Sequence, residues 1–284
     1  MGNGASELRY EVVEGWGRLP EGWVYTQVPG VAVDSRNRVF VFCRGEHPVI
    51  IFDREGNFQG SWGEGTFTTP HGIFIDANDD VFCIDSGDHT VRKFTGEGEL
   101  LMTLGRKDKS GEDGEPFNRP TGAAVSASGE LYVTDGYGNS SVHKFSPDGE
   151  LLLSWGEPGD GPGQFDVPHD VWVANDDLVY VADRQNNRVQ IFTSHGEYVE
   201  ERTGFRQPCT VFIDVEERIY VPELQSRMSV LDTEGRLLAR LGGEKTHEPG
   251  LFVAPHCAWA DVHGGLYVGE ALQGQRIQKF ELRN

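Results

Sequence analysis

The chain has 284 residues, enough to bury a sizeable core, with 37 glycines spread along its length as many short strands and tight turns would require. Its net charge of −20 argues against partners that are themselves polyanionic, so neither nucleic acid nor an anionic membrane surface is expected. No stretch approaches the ~18 consecutive apolar residues of a membrane helix. Met1–Ser6 shows no basic segment followed by an apolar run, and the four cysteines (Cys43, Cys83, Cys209, Cys257) form no CxxC pair. Together these lead to the expectation of reduced thiols and a cytoplasmic location.

In chain order, Tyr10 to Gly17 is a strand ending in Gly15-Trp16-Gly17. A unit follows that begins at Pro29-Gly30 and carries Cys43-Arg44-Gly45-Glu46-His47 at the end of its second apolar run. The next unit displays the pattern most fully. Pro70-His71-Gly72 leads into Ile73-Phe74-Ile75-Asp76, a turn at Asn78-Asp79-Asp80, then Val81 to Asp85, Val91 to Phe94 and Leu100 to Gly105. The same skeleton starts again at Pro120-Thr121, Pro168-His169, Pro208-Cys209 and Pro255-His256, with spacings of 41, 50, 48, 40 and 47 residues from Pro29 onward.

Each unit reads as four short strands of β-branched and aromatic residues, and no segment carries a convincing helical period. An all-β, six-bladed β-propeller occupying residues 1–284 as a single domain is therefore expected. The last unit stops at its third strand, Arg276 to Phe280, and Tyr10–Gly17 resembles the fourth-strand endings Ser61-Trp62-Gly63 and Ser154-Trp155-Gly156. The N-terminal strand should complete the last blade and close the ring, removing two sheet edges at once.

Histidine follows the repeat proline in every second copy: His71, His169 and His256. On a six-bladed ring alternate copies stand about 120° apart, so the three imidazoles converge on the axis. Three neutral imidazoles with an open fourth position make a site for a catalytic Zn2+. A second equivalent position, at the end of the second strand, carries Asp85, Asp135, Asp183, Glu223 and Glu270; these carboxylates are expected to accept backbone hydrogen bonds in the following loop. The residues after them differ from copy to copy, which is where function should appear. They include Arg44, Tyr137 and Arg184. Arginine suits a carboxylate because its planar fork gives two parallel hydrogen bonds; an arginine or tyrosine there could equally be a loop ion pair or a rim aromatic.

The skeleton resembles the NHL-repeat propellers. The segments Arg44-Gly45-Glu46-His47, Pro70-His71-Gly72, Asp135-Gly136-Tyr137-Gly138-Asn139-Ser140, Gly163 to His169, Ala182-Asp183-Arg184 and Pro255-His256 resemble, in the same order, the lyase domain of peptidylglycine α-amidating enzymes. That resemblance implies a zinc-dependent carbon–nitrogen lyase, splitting an α-hydroxyglycine into an amide and glyoxylate. It assigns His71, His169 and His256 to the metal, Tyr137 to the base, and Arg44 and Arg184 to substrate holding or charge stabilisation. It also implies a small-molecule or peptide substrate carrying a carboxylate.

The chain departs from that family at three places. Cys257 replaces the aspartate that helps hold a structural Ca2+, leaving only carbonyls such as those of Val31 and Ile73; Gly138 replaces a cysteine; Ala254 replaces a methionine. Two other readings stand beside the lyase. One is a metal-dependent propeller hydrolase of lactones or esters, disfavoured because no acid or asparagine follows any repeat proline. The other is a binding scaffold with incidental histidines. Cys209, at the axial position of the fifth copy, is open to use as a fourth ligand or redox switch, with an inert buried thiol the simpler expectation. His47 is open between a place near the site through Arg44 and a solvated loop.

Overall fold

The computed structural model describes residues 8–111 and 115–283. Met1–Ser6, read above for a targeting signal, lies outside the described residues. Six four-stranded antiparallel sheets follow one another in chain order. Blade one is Gly30–Val33, Val39–Phe42, Val49–Phe52 and Phe58–Trp62. Blade two is Pro70–Ile75, Val81–Asp85, Thr90–Phe94 and Leu100–Gly105. Blade three is Gly122–Val125, Leu131–Asp135, Ser141–Phe145 and Leu151–Trp155. Blade four runs Pro168–Val173, Val179–Asp183, Arg188–Phe192 and Tyr198–Arg202. Blade five runs Phe212–Ile213, Ile219–Glu223, Arg227–Leu231 and Leu237–Gly242. Blade six takes Pro255–Ala260, Gly265–Glu270 and Arg276–Arg283 from the C-terminal end, and its outermost strand is Arg9–Val13.

The closure follows the register Arg9↔Arg283 through Val13↔Lys279. The ring is a six-bladed β-propeller fastened by its N-terminal strand. Strands such as Val39–Phe42, Val81–Asp85 and Ile219–Glu223 are buried at every residue, because each blade packs face to face between two others. Their sequences are accordingly near-continuous apolar runs. The outermost strands, Leu100–Gly105 and Tyr198–Arg202 among them, are largely exposed and alternate more freely.

The second-strand carboxylates correct the expectation about their partners. They mainly bind the loop leading into the innermost strand of the same blade, not the loop that follows. Asp85 accepts from the amides of Thr68 (2.6 Å) and Thr69 (2.8 Å), Asp135 from Asn118 (2.9 Å), Asp183 from Asp166 (2.9 Å), Glu223 from Arg206 (2.6 Å) and Glu270 from Val253 (2.6 Å). Asp85 alone also takes the following amides of Gly87 and Asp88. The repeat proline has no N–H to offer, so the residues just before it carry the clamp. In five of the six blades the acid thus fixes the position from which the axial residue projects.

A second recurring bond completes the frame. The residue after the carboxylate donates its N–H to the residue before the proline: Ser86 to Thr69, Arg184 to Val167, Leu224 to Gln207 and Ala271 to Ala254. Related bonds join Tyr137, two residues after Asp135, to Arg119, and Arg44, after Cys43, to Gln27, two residues before Pro29. Six loops are thereby laid over one mouth of the axial channel. The other end is closed by Phe74, Trp172, Phe212 and Trp259, with ring centroids 4.8 to 5.8 Å apart. Three of these aromatics stand three residues after the axial histidines, so the same blades build the site and its floor.

Candidate metal centre

His71, His169 and His256 are buried, and one nitrogen of each lies within 4.8 Å of the others. Their outward nitrogens are held identically. Nδ1 of His71 donates to the Thr121 carbonyl (2.6 Å), that of His169 to Cys209 (2.7 Å) and that of His256 to Pro29 (2.8 Å). Even-numbered blades supply imidazoles, and each next blade supplies the carbonyl that orients one. A carbonyl only accepts, so the proton sits on Nδ1 and the Nε2 lone pair faces the axis. Gly72 makes the first of these contacts feasible: a Cβ there would stand 2.8 Å from the Thr121 oxygen.

Burial holds all three histidines well below their ordinary pKa of 6.5, reinforced at His71 by His256 and Arg44 and at His169 by Arg184. His256 is pulled to about 3, by burial and then by Arg44. They are neutral, as metal ligands must be.

Tyr137 reaches this centre from blade three. Its hydroxyl lies 3.0 Å from Nε2 of both His71 and His169. Gly136 permits the approach: any Cβ there would fall 1.9 Å from the Pro168 carbonyl, beside His169. One O–H proton therefore faces two axial lone pairs at once, an acceptor surplus that a cation resolves. The three-histidine cluster could hold a metal ion, and the donor set fits.

Two guanidiniums face the same tyrosine. Arg184 donates from Nη1 to the Tyr137 hydroxyl (3.2 Å), while its buried Nε has no partner among the described residues. Arg119, a residue not singled out from the sequence, lies with Cζ 5.1 Å from the Tyr137 ring centroid, against 5.3 Å for Arg184. The repeat register could have found it, since it immediately precedes the proline of blade three. Arg44 approaches from blade one, donating from Nε to the Pro70 carbonyl and from Nη1 to Gln27 Oε1, both at 2.9 Å. A cavity of about 670 Å3, walled by Trp23, His47 and Ile50, opens beside Arg44.

The remaining residues take structural places. His47 stacks on Trp23 at 3.3 Å and pairs with Glu64 at 3.0 Å. Cys209 contributes its carbonyl to His169, and its buried thiol, pushed up to about 12 by burial, is outside the ligand cluster. Cys257 is buried against the Val28 carbonyl (3.7 Å), its thiol held well above the ordinary range by burial. Gly138 packs on the Asn118 side chain, where a Cβ would clash at 2.2 Å. Cys257 offers calcium no carboxylate; the channel acid of this chain is Asp170, next to His169, which accepts the Val211 amide (3.1 Å) and is pushed up to about 8 by burial.

Residues 117–145 and 165–192 match the sequence pattern of the NHL repeat. The chain is thus a β-propeller in which two segments match the NHL repeat, with an axial three-histidine cluster. It is 36% identical over 209 residues to peptidylglycine alpha-amidating monooxygenase of Rattus norvegicus, covering 62% of this chain and 21% of that protein. It is 29% identical over 218 residues to peptidyl-alpha-hydroxyglycine alpha-amidating lyase 2 of Drosophila melanogaster, covering 66% of this chain and 53% of that one. The chain therefore spans about a fifth of the first relative and about half of the second. Among solved structures, a streptogramin B lyase superposes with a TM-score of 0.66 at 15% identity, covering 98% of this chain and 99% of the other, which shows the fold.

Proposed function

We propose that this protein is a zinc-dependent lyase that cleaves the C–N bond of an α-hydroxyglycine derivative, releasing an amide and glyoxylate. The observation that carries this reading is the Tyr137 hydroxyl, 3.0 Å from two axial imidazoles and 3.2 Å from Arg184. Relatives named for amidating-lyase activity support it, the fly protein among them.

His71, His169 and His256 would hold the metal through Nε2. When bound, Zn2+ supplies Lewis acidity at the substrate hydroxyl. Tyr137, its oxygen held by Arg184, is the group placed to take the hydroxyl proton. The C–O bond becomes C=O, the C–N pair returns to nitrogen, and that nitrogen gains a proton, so no redox partner is needed. The unpartnered Nε of Arg184 and the remaining N–H groups of Arg44 are the donors for the carboxylate beside the reacting carbon. The cavity beside Arg44 has room for the rest of the substrate.

The test is glyoxylate release from N-benzoyl-α-hydroxyglycine by zinc-loaded protein, with the amide measured in parallel. Equimolar glyoxylate and benzamide are expected. Absence of both products, with zinc bound and the fold intact, overturns the assignment.

A further inference from the structure

Against a net charge of −20, the mouth of the channel gathers three arginines, Arg44, Arg119 and Arg184, around Tyr137 and the axial histidines. Arg44, Arg119 and Arg184 have no carboxylate within ion-pair distance among the described residues, whereas Arg92, Arg188, Arg227 and Arg276 all do. Two of the three rim arginines are engaged by the chain: Arg184 with the Tyr137 hydroxyl, Arg44 with Pro70 and Gln27. Arg119 differs. Its side chain is exposed, and among the described residues it lies over the Tyr137 ring without an ion-pair partner.

Its backbone, by contrast, is fixed. The amide donates to His89 Nδ1 (3.0 Å) and the carbonyl accepts from Tyr137 (3.3 Å). Its left-handed φ of 63° is a property of the repeat, because Val167 and Gln207 at equivalent positions have 61° and 56°. What distinguishes blade three is the side chain at this position: an uncommitted guanidinium, held at the lip by a rigid backbone.

We infer that Arg119 is a specificity-determining residue that binds a second anionic group of the substrate, so that the preferred substrates are α-hydroxyglycine derivatives whose acyl portion carries a further carboxylate. This rests on the lyase reading. One substrate carboxylate is met by Arg44 and Arg184; Arg119 supplies a further positive charge with no counterion in the described chain. An exposed guanidinium in an otherwise acidic surface also attracts an anion at long range, and that attraction is screened by salt.

The experiment compares N-succinyl- and N-butanoyl-α-hydroxyglycine, nearly equal in size and differing in one carboxylate. The wild-type protein should favour the succinyl compound in kcat/KM by about tenfold at low ionic strength, the size of one charge-assisted hydrogen bond. The preference should shrink as salt is added. Arg119→Gln should bring the ratio close to one by losing mainly the succinyl activity, and Arg119→Lys should restore part of it. Equal turnover of both compounds by the wild type, or an equal loss of both in Arg119→Gln, overturns the inference. If the wild type releases glyoxylate from neither, the lyase reading falls. Calorimetry of the zinc-loaded protein with the inert N-succinylglycine and N-butanoylglycine then decides: tighter succinyl binding that disappears in Arg119→Gln sustains the role of Arg119, and equal binding refutes it.

Discussion

Replacing His169 with alanine tests the axial centre most directly. The side chain contributes one of three convergent nitrogens, and its ring lies 4.8 and 4.9 Å from those of His71 and His256. Structural zinc binding by four ligands is worth about 10–16 kcal/mol, or roughly 2.5–4 kcal/mol per ligand, so losing one histidine weakens affinity by about two to three orders of magnitude. The fold suffers separately. The Cys209 carbonyl loses the donor that stood at 2.7 Å, an unsatisfied buried acceptor costing about 1–3 kcal/mol. Competition against a zinc-sensitive chelating dye measures the first quantity, and urea unfolding of the metal-free protein the second. His169→Gln serves if the alanine variant unfolds, and the exposed His195→Ala is the control. Zinc affinity within about threefold of wild type in a folded His169→Ala protein would refute the axial site.

Three further outcomes are expected. Tyr137→Phe keeps the ring against Arg119 and Arg184 but removes the hydroxyl; glyoxylate release should fall by about 10²–10⁴ in kcat with zinc retained, and a change below threefold would exclude the phenol as base. Asp85→Ala orphans four backbone amides near His71, so its unfolding free energy should drop by at least about 3 kcal/mol, with weaker zinc binding alongside. Asp170 has a folded pKa raised from 3.8 to about 8, so the folded state holds the extra proton and the stability this group contributes is lost as pH rises from about 4 to 8. Asp170→Asn should therefore gain in melting temperature relative to wild type across that window; a relative loss at pH 8 would show the carboxylate paired with a positive charge.

The buried histidines work in the opposite sense. Their folded pKa values lie below 6.5, so the metal-free protein should be most stable above that pH and weaken on acidification toward 3. Comparing Asp170→Asn with wild type at each pH cancels this common background.

Much of the architecture was written along the chain because a propeller repeats one local unit. Pro70, Pro168 and Pro255 mark the start of the innermost strand, the apolar runs mark blades buried on both faces, and the missing fourth strand of the last unit matches the surplus strand at Tyr10. Alternation of His71, His169 and His256 becomes a convergent triad once the copy number is six, since symmetry alone fixes the angle between copies. The sequence therefore determined the ring, its closure and which three histidines gather on the axis.

It could not show which atoms aim them. The orienting carbonyls of Thr121, Cys209 and Pro29 are backbone groups, which every residue carries, and they act across the seam between blades. The same holds for the five acids, each of which takes a backbone amide from before the proline, with Asp85 also taking two from after its strand. The repeat register marks the position of Arg119, but its meaning depends on having no carboxylate within reach among the described residues, and on standing 5.1 Å from the Tyr137 ring across 18 positions of chain. Repetition encodes where side chains begin; only packing between blades decides which backbone groups, charges and unpaired donors surround their ends.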